Sequence, residues 1–150
     1  AIVAERGALL VHGIAMRPSS PTGLGRLDDG RLVFLLPGNP VSCLCAYEFF
    51  VGPVLRRLEG HPAPWRWPHP RARLRLDRKI ISKIGRTDFV RVEVTRDDDG
   101  EPRVRPIATS GASNLSTAVR ADGVVIVPPA LEGLPPGAEV ELLCFDEGAP

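Results

Sequence analysis

Long apolar runs are missing from this 150-residue chain. No stretch reaches the roughly 18 apolar residues that a membrane-crossing helix needs, and no leader-like segment opens the chain. A helical membrane span and a secretory signal are therefore not expected in these residues. Net charge is nearly absent too: 19 basic against 18 acidic side chains leave +1. Without a strong basic field, nucleic acid is not expected as the main partner. Arg66, Arg71, Arg73, Arg75 and Arg78 do cluster, but their alternation reads as the wet face of a strand. Histidine is scarce, and His12, His61 and His69 show neither HxH nor HExxH spacing, so no metal is assigned to them. Nothing in the order of residues places a Ser-His-acid group together either. The cysteines number three, and Cys43-x-Cys45 is the one close pair. Two positions apart on a helix they point in different directions, so free buried thiols in a reducing cytoplasm are expected rather than a metal site or a disulfide. Met16 is the only methionine. Ala1 is then no natural start, and a piece of a longer protein, beginning partway through a fold, is expected.

The remaining composition, 43% hydrophobic and 25% charged, is that of a water-soluble globular chain, enough for one ordinary domain or two small ones. The first half reads as strand, loop, strand, helix, an α/β arrangement. Residues 1–6 end a helix closed by Gly7, and Ala8–Val11 form a short strand that continues irregularly to Met16. Arg17 to Gly25 is rich in proline and glycine and is expected to stay out of helix and sheet. Asp28-Asp29-Gly30 turns into a strand from Arg31 to Leu36, expected to be buried. A largely buried helix then runs from Val41 to about Leu58, with Gly52-Pro53 either kinking it or separating two helical turns. Gly60 to Pro70 holds four prolines in eleven residues and reads as a stiff linker. Beyond it, alternating strands are expected over Arg71–Ile81, Asp88–Arg96 and Pro102–Ile107. A continuous apolar strand at Gly123–Val127 and a last alternating one at Ala138–Phe145 follow. Several short strands without a helix suggest a small β-barrel or sandwich. The boundaries expected are 1–60 for the α/β part, 61–70 for the linker and 71–150 for the β domain.

The stretch with most chemistry in it is Leu36-Pro37-Gly38-Asn39-Pro40-Val41-Ser42. Pro37 ends a strand because it cannot extend the ladder. Gly38 allows positive φ and lets a ligand come close to the backbone. Asn39 is a preferred N-cap for the N–H groups of Val41 or Ser42, and Pro40 falls at the first helical position, where a missing N–H costs nothing. Free N–H groups and the Ser42 hydroxyl at a helix N-terminus form a setting for an anion. The same residues also make a well-formed strand-to-helix turn with no ligand. A second candidate is the loop of Arg17, Ser19, Ser20 and Thr22, a cation with three hydroxyls suited to phosphate or a tetrahedral oxometallate; its plain alternative is a connector. Arg86 and Arg91 flank a strand start, and Thr109 to Thr117 is rich in hydroxyls. Together they read either as contacts to a phosphate or pterin-like ring, or as a solvated turn and a capped short helix.

In this order the pieces resemble the molybdopterin molybdenumtransferase family, MoeA in bacteria and the gephyrin E domain in animals. The residues that carry the resemblance are His12-Gly13-Ile14-Ala15-Met16-Arg17-Pro18, Leu36 to Ser42, Gly85-Arg86 with Phe89-Val90-Arg91, and Ser110-Gly111-Ala112-Ser113-Asn114-Leu115. Ala121-Asp122-Gly123 and Pro136-Gly137-Ala138-Glu139-Val140 complete it. The resemblance implies the end of a MogA-like α/β domain followed by a small C-terminal β-barrel. For the full protein it implies a cytoplasmic homodimer that inserts molybdate into adenylylated molybdopterin with release of AMP, assisted by Mg²⁺. Pro37, Gly38, Asn39 and Pro40 would form the pterin-nucleotide loop, with Ser42 beside it. Arg86 and Ser113 would border the active site, and Arg17 and Ser20 would grip molybdate as the catalytic pair. Where the family commonly has Lys-Pro-Gly-Lys-Pro, this chain has Arg17-Pro18-Ser19-Ser20-Pro21: Arg17 keeps a cation and Ser20 does not. The family's acidic metal-binding segment lies upstream of these residues, so no metal ligands are assigned here and these residues alone are expected to be inactive. Two other readings follow from the Ser20 difference, a non-catalytic binding or scaffold module and an enzyme for another oxyanion such as tungstate.

Overall fold

The turn Asp28-Asp29-Gly30 folds the chain back on itself and so organises its first part. Gly30 takes φ +89° and donates to Leu27 O at 2.9 Å. Arg31 clasps the Asp29 carboxylate at 2.6 and 2.9 Å. The fold is a computed structural model that describes residues 2–107 and 115–148. The chain divides at Arg66/Trp67 into two compact units.

The first unit contains α1 (Ile2–Glu5), β1 (Gly7–His12), β2 (Met16–Arg17), β3 (Gly23–Leu27), β4 (Leu32–Leu35), α2 (Pro40–Ala46), a π-helical turn (Tyr47–Val51) and α3 (Gly52–Leu58). β1, β3 and β4 form an antiparallel sheet in that order. Gly7 pairs with Leu27 and His12 with Gly23, with an irregularity between Leu9 and Val11; Gly23 then pairs with Leu35. This corrects the reading of residues 23–25 as loop. The glycines sit in the ladder because close packing demands them: a Cβ on Gly25 would collide with the Val3 side chain, and one on Gly7 with the Arg26 backbone. β4 is also less buried than its apolar run suggests. It has one neighbour in the sheet, which leaves Leu32 exposed and the rest half-buried. The kink or break expected at Gly52-Pro53 is a widened turn. Gly52 N–H reaches back to Tyr47 O, five residues, just before Pro53, whose ring cannot donate.

The second unit is built from β5 (Arg71–Leu76), β6 (Ile80–Ile81), β7 (Thr87–Arg96), β8 (Pro102–Pro106), α4 (Leu115–Arg120), β9 (Gly123–Val127), β10 (Gly133–Leu134) and β11 (Glu139–Cys144). Five of these strands close into a barrel. β7 pairs with β8, β8 with β5, β5 with β11, β11 with β9, and β9 returns to β7. Only the β5–β8 pair is parallel, Arg75 opposite Arg103 and Leu76 opposite Val104. β6 and β10 form a separate two-residue ladder. Alternation does what it promised: Ala72, Leu74 and Leu76 of β5 join the core. Arg71 and Arg73 lie outside, 3.4 Å from Glu141 and 3.7 Å from Glu139 respectively.

The barrel interior is filled by Leu76, Ile80, Val92, Val104, Val125, Val127, Val140, Leu142 and Cys144. Each fully buried Val or Leu stabilises the fold by about 1.5–3 kcal/mol relative to an exposed one. The second half is not all strands: α4 begins within the Thr109–Thr117 stretch, for which a short helix was one of the readings. This six-residue helix buries Thr117 and ties Arg120 to Glu93 of β7 at 2.9 Å. No disulfide joins the three cysteines; Cys45 and Cys144 are buried and Cys43 is half-buried.

Candidate functional site: two loops clasped at Ser19 and Ser42

The turn into α2 forms as its residues dictate. Asn39 stays extended at φ −72°, ψ 124°, with Pro40 in the first turn of the helix. Its Oδ1 accepts from Val41 N at 3.2 Å and Ser42 N at 3.4 Å. Cys43 N closes the first helical bond to Asn39 O at 2.8 Å. This reduces the expected fan of open N–H groups. The cap takes two of them and the prolines have none, so the loop N–H groups outside the cap are those of Gly38 and Asn39. Gly38 is not in the left-handed region, but the space where its Cβ would stand is open, with no atom within 4 Å. Pro37 is buried, Gly38 and Pro40 are exposed, and Asn39 is half-buried.

The Arg17–Thr22 loop is joined to this turn. Ser19 takes φ +89°, a conformation serine rarely adopts, and is 2% exposed. Its Oγ–H donates to the carbonyl of Ser42, in the first turn of α2, at 2.5 Å. Its own carbonyl accepts from Thr22 N at 3.0 Å and from Thr22 Oγ1 at 2.8 Å. Gly13 N to Thr22 O and Ile14 N to Ser20 O, both 2.9 Å, fasten the loop from the other side. Three hydroxyls were expected to face an oxyanion. Two of them, Ser19 and Thr22, instead hold the loop to its surroundings, because both are buried and a buried hydroxyl has to find a partner. Arg17 and Ser20 are the exposed polar side chains of the loop, while Ser42 is buried.

In the second unit Arg86 follows Gly85, which has φ +90°. Its Nε lies 2.9 Å from Asp88 Oδ1. Arg91 is buried, its guanidinium carbon 6.0 Å from the Phe145 ring centre. Ser113 lies outside the described residues, as does most of the hydroxyl-rich stretch around it. Asp88 stood at the start of an expected strand and was given no role. The signal that marks it is a carboxylate at an inward position of an alternating strand. Among the described residues no three His, Cys, Asp or Glu side chains lie together in a way that would hold a metal. They do not fit a Mg²⁺ site, and no step is derived through that ion.

The chain thus carries two units, a small α/β one with a clasped loop pair and a closed five-stranded barrel, and its class is α/β plus β-barrel. Residues 73–145 match the family described as MoeA C-terminal region (domain IV). The chain is 36% identical over 149 residues to molybdopterin molybdenumtransferase 1 of Mycobacterium tuberculosis, covering 94% of this chain and 34% of that one. It is 29% identical over 149 residues to molybdopterin molybdenumtransferase of Bacillus subtilis, covering 98% and 33%. Among solved structures, a molybdopterin biosynthesis MoeA protein from Pyrococcus horikoshii superposes with a TM-score of 0.76 at 34% identity, over 97% of this chain and 34% of that one. Residues 73–145 belong to the MoeA C-terminal region family, and the chain as a whole is similar to MoeA proteins. It spans about a third of the length of the curated relatives it matches.

Proposed function

We propose that this chain works within a longer protein of molybdenum cofactor biosynthesis, which inserts molybdate into adenylylated molybdopterin and releases AMP. Supporting this is the Ser19 Oγ–H···O=C Ser42 hydrogen bond, 2.5 Å long. It unites two loops, far apart in sequence, that were each suited to an anion for separate reasons. The open backbone at Gly38 and Asn39 receives the pterin-nucleotide phosphate. Arg17 and Ser20, exposed on the neighbouring loop, take the molybdate, with Ser42 supporting from beneath. Within the second unit, Arg86 and Ser113 are read as substrate-binding residues, Arg86 offering its cation to an anionic group. Positioning supplies most of the rate in this scheme, since no general acid or base stands among these residues. A cytoplasmic homodimer assisted by Mg²⁺ held elsewhere in the full-length protein completes the proposal, with residues 61–70 linking the α/β part to the barrel.

The test is molybdate insertion by the full-length protein carrying Arg17→Ala, Ser42→Ala or Ser19→Ala. Each is expected to lower cofactor yield. Ser19→Ala is expected to do so although its hydroxyl touches no substrate, because it releases the clasp. Wild-type yield in all three overturns the reading.

A further inference from the structure

Asp88 is 1% exposed and has no part in the scheme above. Along β7 the side chains that join the barrel core are Val90, Val92 and Val94, two residues apart, and Asp88 continues that parity. Across the ladder it faces Val127 of β9, which is fully buried. An apolar side chain is what the barrel calls for at this position. A carboxylate there carries a large desolvation cost, and a buried ion pair is seldom more stable than well-packed apolar residues of the same volume. Fold stability therefore gives little reason for the charge.

Geometry gives a better one. Arg86 Nε stands 2.9 Å from Asp88 Oδ1 and Nη2 3.5 Å from Oδ2. The two approaches hold the guanidinium beside the carboxylate, one as a long hydrogen bond and one by charge. The Nε–H is not aligned on Oδ1, so the attraction there is that of opposite charges. Arg86 keeps 27% of its side chain exposed and so presents its charge at the surface from a buried anchor. At the entry to β7, Gly85 N donates to Pro129 O at 2.8 Å and pins the backbone beneath.

We propose that Asp88 is a positioning residue: it holds Arg86 in one orientation so that the guanidinium meets an anionic group of the substrate at a set angle. This rests on the reading of Arg86 as a substrate contact. In this proposal Asp88 affects the ligand by way of Arg86 and not by touching it.

The test uses the full-length protein and measures KM for adenylylated molybdopterin, kcat for molybdate insertion, and the thermal midpoint. The variants are Arg86→Ala, Asp88→Asn, Asp88→Leu and the double variant Arg86→Ala/Asp88→Asn. Loss of one charge-assisted contact predicts a KM about 10-fold higher or more for Arg86→Ala. Asp88→Asn and Asp88→Leu are expected to raise KM about 3- to 10-fold with kcat within about 2-fold, the mark of lost substrate binding. Asp88→Leu, apolar in an apolar barrel, is expected to keep the thermal midpoint, so its KM reads orientation and not unfolding. In the double variant Asp88→Asn is expected to add nothing to Arg86→Ala. If both Asp88 variants keep the wild-type KM while Arg86→Ala raises it, the positioning role is overturned and the substrate contact stands. A double variant as poor as the product of the singles overturns it as well. A wild-type KM for Arg86→Ala overturns the substrate contact itself, and the positioning role with it.

Discussion

Asn39 carries more of the candidate site than its modest exposure suggests. One side-chain oxygen accepts from both Val41 N and Ser42 N, which fixes the first turn of α2 and the Ser42 carbonyl that Ser19 uses. Asn39→Ala is expected to cost about 1 kcal/mol, the usual loss for an N-cap, while Asn39→Asp retains the cap. Urea unfolding of the two variants against wild type checks this. The cap was legible in advance because all its partners lie within three residues, and local rules govern local bonds. Ser19 was not legible in this way. Its hydroxyl is bonded 23 positions away, and nothing in Arg17-Pro18-Ser19-Ser20 says which serine turns inward. Asp88 stood between the two: its parity along β7 was visible, but not that the barrel closes over it.

Strands and turns followed the same division. The turn between β7 and β8 closes with Gly100 N donating to Asp97 O at 2.9 Å, and the Asp97 side chain holds it further. Asp97 accepts from Arg103 Nε at 2.7 Å, Glu101 N at 2.9 Å and Asp99 N at 3.1 Å. The Arg103 hydrogen bond, opposed by burial and aided by the Glu101 and Asp99 N–H bonds and the Arg103 charge, holds the Asp97 carboxyl below the usual carboxylate range. A carboxyl with a lowered folded-state pKa stabilises the fold fully above its unfolded value, about pH 4. That contribution is lost as pH falls through the lowered folded value. Thermal midpoints followed downward from pH 5 are thus expected to fall more steeply in wild type than in Asp97→Asn, which has already lost the charge. Equal slopes exclude the effect. Gly23 to Gly25 misled the sequence reading because glycine usually breaks a ladder, whereas here it admits Val3 against the sheet.

Closure of the barrel decides what the chain hides. β5 and β8 meet in parallel, a pairing between strands remote in sequence that no alternation pattern announces. The ring they complete covers Cys144 entirely, and the first unit leaves Cys45 at 2% exposure. Burial, followed by the nearby charges of Asp146 and Asp122, pushes the Cys144 thiol up, away from the reactive thiolate. Brief labelling of the native full-length protein with a thiol reagent, mapped by peptide mass, is expected to mark Cys43 well before Cys45 or Cys144. Labelling of those two should appear only as urea approaches the unfolding midpoint. Fast native labelling of Cys144 contradicts a closed barrel.

Periodicity, turn residues and capping rules were enough to expect a barrel of short strands and the capped turn at Asn39. They were also enough to mark the Pro37–Ser42 turn and the Arg17 loop as candidates, because each depends on neighbours a few residues away. Long-range contact settled the rest. The ring of five strands, the burial of Asp88 beside Arg86 and the exposure of β4 arise only when distant segments come together. So does the clasp of Ser19 on Ser42, since packing chooses which polar groups must be satisfied inside and which are left for a ligand.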